Sequence, residues 1–137
     1  MAGTIRLEVV TPQKAVVSED AQIVVAPGVV GEFGVLVGHT PFMTALNIGT
    51  IRYTDAQGQE HSVFVSGGFA EALPDKVTVL AESAERRRDI DVERAKAAME
   101  RAQKRIEEQT PGSDYLRAKM AMMRALHRIR LAESRRS

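Results

Sequence analysis

Val77-Thr78-Val79-Leu80-Ala81-Glu82-Ser83-Ala84-Glu85-Arg86-Arg87-Arg88-Asp89-Ile90-Asp91-Val92-Glu93-Arg94-Ala95 contains a change of period. Val77 and Val79 alternate with Thr78, as in a strand with one covered face. From Val92 the apolar positions are Val92, Ala95, Met99, Ala102 and Ile106, at steps of three and four, which is one helical seam. Asp89 or Asp91 is placed to cap that helix. Glu100–Lys104 and Lys104–Glu108 fall at (i, i+4) on its outer face. A strand grammar therefore gives way to a helix grammar near residue 85.

Toward the N-terminus the chain is punctuated. Nine of its ten Gly and four of its five Pro precede residue 75, and no Gly or Pro occurs from Asp75 to Thr110. Short β-branched runs between those breakers read as strands at Ile5–Val10, Ala15–Val17, Gln22–Ala26, Gly34–Val37, Ile51–Thr54, Ser62–Ser66, Ala70–Leu73 and Val77–Ala81. Asp55-Ala56-Gln57-Gly58 reads as a hairpin turn, and Pro74-Asp75 as another turn. So many short strands in about 80 residues predict an antiparallel sandwich or flattened barrel. Toward the C-terminus, Pro111-Gly112 stops the first helix and turns the chain. A second helix follows, capped by Ser113 or Asp114. Leu116, Met120, Met123 and Leu126 form one stripe on it, with Ala118, Met122, Ala125 and Ile129 beside that stripe. Small alanine faces let two helices lie close, so an antiparallel two-helix hairpin is expected. The predicted fold is a β-sandwich over residues 1–85 followed by a helical hairpin over residues 86–137.

Charge follows the same division. Residues 1–85 carry four Lys or Arg against ten Asp or Glu, whereas residues 110–137 carry seven bases against two acids; the whole chain of 137 residues nets +1. An acidic first module and a basic tail imply different partners for the two. With no cysteine, disulfide frameworks, thiolate zinc sites and cysteine nucleophiles are excluded. No apolar run is long enough to span a bilayer, and the first residues do not read as a secretory signal. Aromatics are only 4%, with no Trp, which argues against a stacking platform for single strands.

No catalytic constellation is present. His39, His61 and His127 are scattered and form no HxxxH pair, so no metal is expected. Gly31-Glu32-Phe33-Gly34 is not a dinucleotide fingerprint, and Ser66-Gly67-Gly68 is not a nucleophile elbow. Glu32 and His39 read as surface residues or as contacts with a partner. The arginines carry more. Arg94, Arg101 and Arg105 step along the first helix by seven and four, and Arg117, Arg124 and Arg128 do the same on the second. Each stripe alone is compatible with a solvated face. Two converging stripes repel unless an anion lies between them, and guanidinium forks suit phosphate oxygens. The hairpin is then a clamp for a nucleotide or a surface for an acidic protein. Nucleic acid is disfavoured by the near-zero net charge and the lack of a helix-turn-helix pattern.

Five segments in register resemble a known family. They are Val9-Val10-Thr11-Pro12; Gly31-Glu32-Phe33-Gly34-Val35-Leu36 with Gly38-His39-Thr40-Pro41; Val65-Ser66-Gly67-Gly68-Phe69; Val77-Thr78-Val79-Leu80-Ala81; and Ile90-Asp91-Val92-Glu93-Arg94-Ala95. Together they are similar to the ε subunits of bacterial F-type ATP synthases, essentially end to end. The resemblance implies an N-terminal β-sandwich of about ten strands and a C-terminal two-helix hairpin. It implies a non-catalytic rotor subunit of a proton- or sodium-translocating enzyme, bound to the γ subunit and the c-ring. Its C-terminal helices would reach the α/β subunits and inhibit hydrolysis. Membrane association would be peripheral, through the complex, on the cytoplasmic side. No cofactor is required. In some members the pattern Ile/Leu-Asp-x-x-Arg-Ala, with further arginines downstream, binds ATP as a regulatory ligand. Ile90, Asp91, Arg94 and Ala95 match that pattern in full, Arg101, Arg124 and Arg128 stand at the spacings of the further arginines, and Glu85 matches an acidic position before it. Asp91 reads equally as a helix cap. The competing reading is a small nucleic-acid-binding or adaptor protein built on the basic hairpin.

Overall fold

A computed structural model describes residues 3–108 and 112–134. Seven strands come first: β1 (Ile5–Val10), β2 (Ala15–Gly28), β3 (Gly31–Val35), β4 (Phe42–Asp55), β5 (Glu60–Leu73), β6 (Lys76–Leu80) and β7 (Ala84–Arg86). A 3-10 turn, Arg87–Asp89, leads into α1 (Val92–Glu107) and then α2 (Ser113–Glu133).

The strands run in the order β1-β6-β5-β4-β2-β3, and β1 also pairs with β2. That last pairing closes β1, β6, β5, β4 and β2 into a ring, with β3 and β7 as extensions on β2 and β5. All pairings are antiparallel except β1–β6. The two halves of β2 serve different neighbours: residues 15–21 pair with β1, and residues 24–28 pair with β3. β5 likewise gives residues 69–73 to β6 and 63–65 to β7. Counting β2, β4 and β5 as single 14-residue strands therefore replaces the expected ten strands by seven longer ones.

Alternation places the core. Ile5, Leu7 and Val9 of β1 and Val77 and Val79 of β6 are fully buried, and they pack with Val17, Val24, Ile51, Val63 and Val65 inside the ring. Each such side chain contributes about 1.5–3 kcal/mol of burial. The turn Asp55–Gly58 forms as the sequence indicates, with Asp55 Oδ1 accepting from the backbone N–H of Gln57 and Gln59, each at 2.9 Å. Gly68 is required where β5 passes β6: its φ is 129°, and a Cβ there would stand 2.1 Å from the Leu80 carbonyl oxygen.

A second, smaller cluster lies outside the ring, where Ile48 and Phe64 of the sheet meet Ile90 and Leu131. It is the seat of α2, which packs on β4, β5 and the 3-10 turn, while α1 packs chiefly on α2. Asp91, not Asp89, caps α1; its carboxylate accepts from the Arg94 backbone N–H at 3.0 Å. The expected side-chain cap of α2 is corrected. Gly112 takes the cap position with φ 64°, and no side-chain cap bond forms there. Asp114 sits instead in the first turn, where its charge suits the helix dipole. Pro111 lies outside the described residues.

The α1 seam is as expected, with Ala95 and Ala102 at its buried centre. On α2 the two stripes exchange roles. Ala118 and Ala125 are buried, whereas Leu116 is 60% exposed and Met120 and Met123 about 40%. Alanine against alanine lets the backbones approach, and larger residues in that seam would hold them apart. The anticipated Glu100–Lys104 and Lys104–Glu108 pairs do not close; Lys96 of α1 reaches Glu133 of α2 at 3.9 Å.

Candidate functional site

Close packing of α1 on α2 at alanine positions leaves a cleft of about 720 Å³ on the side facing the sheet. α1 contributes Arg94, Ala95, Ala98 and Arg101, and α2 contributes Ala121, Arg124, Ala125 and Arg128. The sheet side supplies Ser83 and Glu85, the α1 entry Asp89 and Asp91, and the β1–β2 turn Gln13. Seven of the eight expected site residues thus line one cavity: Glu85, Asp91, Arg94, Ala95, Arg101, Arg124 and Arg128. The eighth, Ile90, does not. Its side chain is 8% exposed and packs with Ile48, Phe64 and Leu131, so it anchors α2 instead of facing the cleft.

The four arginines differ in state. Arg128 is fixed: its Nε donates to Glu85 Oε2 at 2.9 Å, and its Nη2 stands 2.8 Å from the same oxygen. Nη2 also donates to Ser83 Oγ at 3.3 Å, and the guanidinium lies 4.4 Å from the centroid of the Phe64 ring. Arg94, Arg101 and Arg124 form no ion pair with any described carboxylate. The cavity thus holds four guanidinium groups against the carboxylates of Glu85, Asp89 and Asp91, with Glu85 already committed to Arg128, an arrangement whose arginines could take phosphate oxygens. Arg105 and Arg117 of the two sequence stripes do not line the cleft.

Gln13 and Ser83 were not legible as site residues, since only the fold of the β1–β2 turn and the end of β6 brings them here. Ala98 and Ala121 had a signal, the small-residue spacing that sets how closely the helices approach.

Glu32 and His39 lie apart from this cleft. Glu32, on β3, accepts from Arg52 Nη2 at 3.0 Å. His39, between β3 and β4, has its Nδ1 at 2.7 Å from the Thr40 carbonyl oxygen, and its ring meets Phe42 edge-on at 5.8 Å. Leu36, Val37, Met43, Phe69 and Leu80 are all exposed. Within that set Phe69 and Leu80 are direct cross-strand partners. An exposed apolar surface of this kind is a candidate contact face.

Two family models divide the chain between them. The ATP synthase Delta/Epsilon chain beta-sandwich domain matches residues 4–87, and the Delta/Epsilon chain long alpha-helix domain matches residues 88–133. The chain belongs to the ATP synthase delta/epsilon-chain family. It is a stalk subunit of an ATP synthase. An ATP synthase epsilon chain of Desulforapulum autotrophicum is 62% identical over 135 residues, covering 98% of this chain and all of that one. An ATP synthase epsilon chain of Nitratidesulfovibrio vulgaris is 53% identical over 131 residues, covering 96% and 97%. In fold, the chain resembles one in the Euglena gracilis mitochondrial ATP synthase (OSCP/F1/c-ring), with TM-score 0.77 and 23% identity over 90% of this chain and 78% of that one. Family membership selects the rotor reading over the basic-hairpin nucleic-acid-binding or adaptor reading. Among the described residues no helix is long and apolar enough to cross a membrane.

Proposed function

We propose that this chain is a non-catalytic rotor subunit carrying a nucleotide-biased switch. The β-sandwich, residues 1–85, binds the γ subunit and the c-ring, with Glu32, His39 and the neighbouring exposed apolar side chains on the contact face. Through that complex it lies peripherally on the cytoplasmic side of the membrane. The hairpin, residues 86–137, has two positions. Docked on Ile48 and Phe64, it leaves hydrolysis free. Released, its basic second helix reaches the α/β subunits and blocks rotation in the hydrolysis direction.

ATP is the ligand that biases the two positions. The supporting observation is the cleft itself: its arginines come from both helices, so it exists only when the hairpin is closed. Arg94, Arg101 and Arg124 hold the phosphates, and the Arg128–Glu85 pair ties α2 to the sheet. A ligand shifts such an equilibrium only by binding one state better, and 1.4 kcal/mol of preference moves it tenfold. Ile90 contributes packing, and the groups of Asp91 and Ala95 form the wall nearest the start of α1. Calorimetry of the isolated chain with ATP tests this. Arg94→Ala or Arg124→Ala is expected to weaken binding roughly ten- to hundredfold. Absent binding in the wild type, or equal binding in all three, would overturn the site.

A further inference from the structure

Three consecutive arginines join the sheet to the hairpin, and the structure gives the first two opposite duties. Arg86, on β7, is committed to the sheet: its Nε donates to the Val16 carbonyl at 3.3 Å and its Nη1 to the Tyr53 hydroxyl at 3.0 Å. Arg87 turns the other way. Its Nε donates to the Leu131 carbonyl at 3.1 Å, and its Nη2 donates to the carbonyl of Ser134. Leu131 and Ser134 lie at the C-terminal end of α2, where the carbonyls carry the negative end of the dipole; the Leu131 carbonyl also accepts the Ser134 backbone N–H at 3.1 Å. A planar fork with several N–H groups answers both the geometry and the charge.

The placement of this grip gives it leverage. Leu131 is also the apolar plug that α2 inserts among Ile48, Phe64 and Ile90. Arg124 and Arg128 stand on the same helix, up to two turns before the gripped end. Arg87 itself does not line the cleft. We propose that Arg87 is the positioning residue of the hairpin: it holds the C-terminal end of α2 to the linker and so sets whether Arg124 and Arg128 face Arg94 and Arg101. Its effect on docking is independent of any ligand; its effect on ATP affinity rests on the nucleotide reading above.

Hydrogen exchange on the isolated full-length chain separates the two. In Arg87→Ala, the amides of residues 124–133 are expected to open at least roughly a hundredfold more often, from the loss of two charge-assisted bonds. Amides of β1 and β6 keep wild-type protection. Arg87→Lys, which keeps the charge and one donor direction, falls between the two. Saturating ATP returns the α2 amides toward wild-type protection, because the ligand binds the docked form. Faster exchange in α2 that ATP alters in neither wild type nor variant would leave the latch standing and remove the nucleotide site. Unchanged α2 exchange in Arg87→Ala would overturn the proposal. Equal loss in α2 and in the sheet would also overturn it, since Arg87 would then support the whole fold. A Lys variant no better than Ala would place the grip in the planar fork rather than in the charge alone, and would leave the proposal standing.

Discussion

Leu131→Ala should release the hairpin while leaving the sandwich intact. Leu131 is 6% exposed and touches the sheet through Ile48 and Phe64, outside the main core. The substitution removes three carbons, worth about 2.4 kcal/mol at roughly 0.8 kcal/mol for each buried methylene. Cavity terms raise Leu→Ala costs to about 2.7–5 kcal/mol in closed cores. This site lies at the rim of a small cluster, where water and neighbouring side chains fill the space, so about 2–3 kcal/mol is expected. That cost falls on docking and corresponds to a docked-to-released ratio lowered about 30- to 150-fold. Hydrogen exchange of the isolated chain reads it directly, as faster exchange along α2 with unchanged protection at Val63, Val65, Val77 and Val79. In the assembled enzyme, the released hairpin should deepen inhibition of hydrolysis. Global unfolding of the sandwich, or α2 protection equal to wild type, would refute the reasoning.

Burial, with Arg130 adding to it, holds the His127 imidazole below its ordinary range, so the docked hairpin favours the neutral ring. Docking is then strongest above about pH 6.5 and weakens as the pH falls through that value; His127→Gln should flatten this dependence in exchange measured from pH 7.5 to 5.5. Burial, then the hydrogen bond to Glu19, raises the Tyr53 phenol to about 12, against the opposing influence of Arg86. The folded state therefore keeps its stability below pH 10 and loses it as the pH rises from 10 toward 12; thermal melts should show that loss, and Tyr53→Phe should reduce it. Gly68→Ala places a Cβ 2.1 Å from the Leu80 carbonyl oxygen at φ 129°, and strain plus overpacking should cost about 3 kcal/mol or more in urea unfolding.

The change from strands to helices was legible because breakers, period and charge all change near residues 74–92. The candidate cleft was legible in part: the helical steps put two arginines of each stripe on it and left Arg105 and Arg117 outside, whereas Glu85, Asp91 and Ala95 were named as site residues only through the family resemblance. The long strands were not legible. Phe42–Thr50 shows no clean alternation, and Asn47 and Gly49 interrupt it; its strand character comes from pairing with β5 along its whole length. The face of α2 was also hidden, because large and small stripes have the same period. What decides between them is the distance of closest approach, which belongs to α1 as much as to α2. Ile90 belongs to the matching pattern by spacing, yet the linker turn Arg87–Asp89 rotates it toward Leu131 and away from the cleft. That turn is three residues long and has no periodic signal to read.

The central claim is that nucleotide holds the hairpin against the sandwich. The chain has no cysteine, so Glu60→Cys and Lys119→Cys, both at exposed positions, accept a donor and an acceptor dye without interference. Energy transfer between them, measured in the assembled enzyme with and without ATP, reports the two hairpin positions. The isolated chain at saturating ATP supplies the docked reference. ATP should move the population toward that reference, and Arg124→Ala should abolish the movement. A transfer efficiency independent of ATP in the wild type would contradict the account.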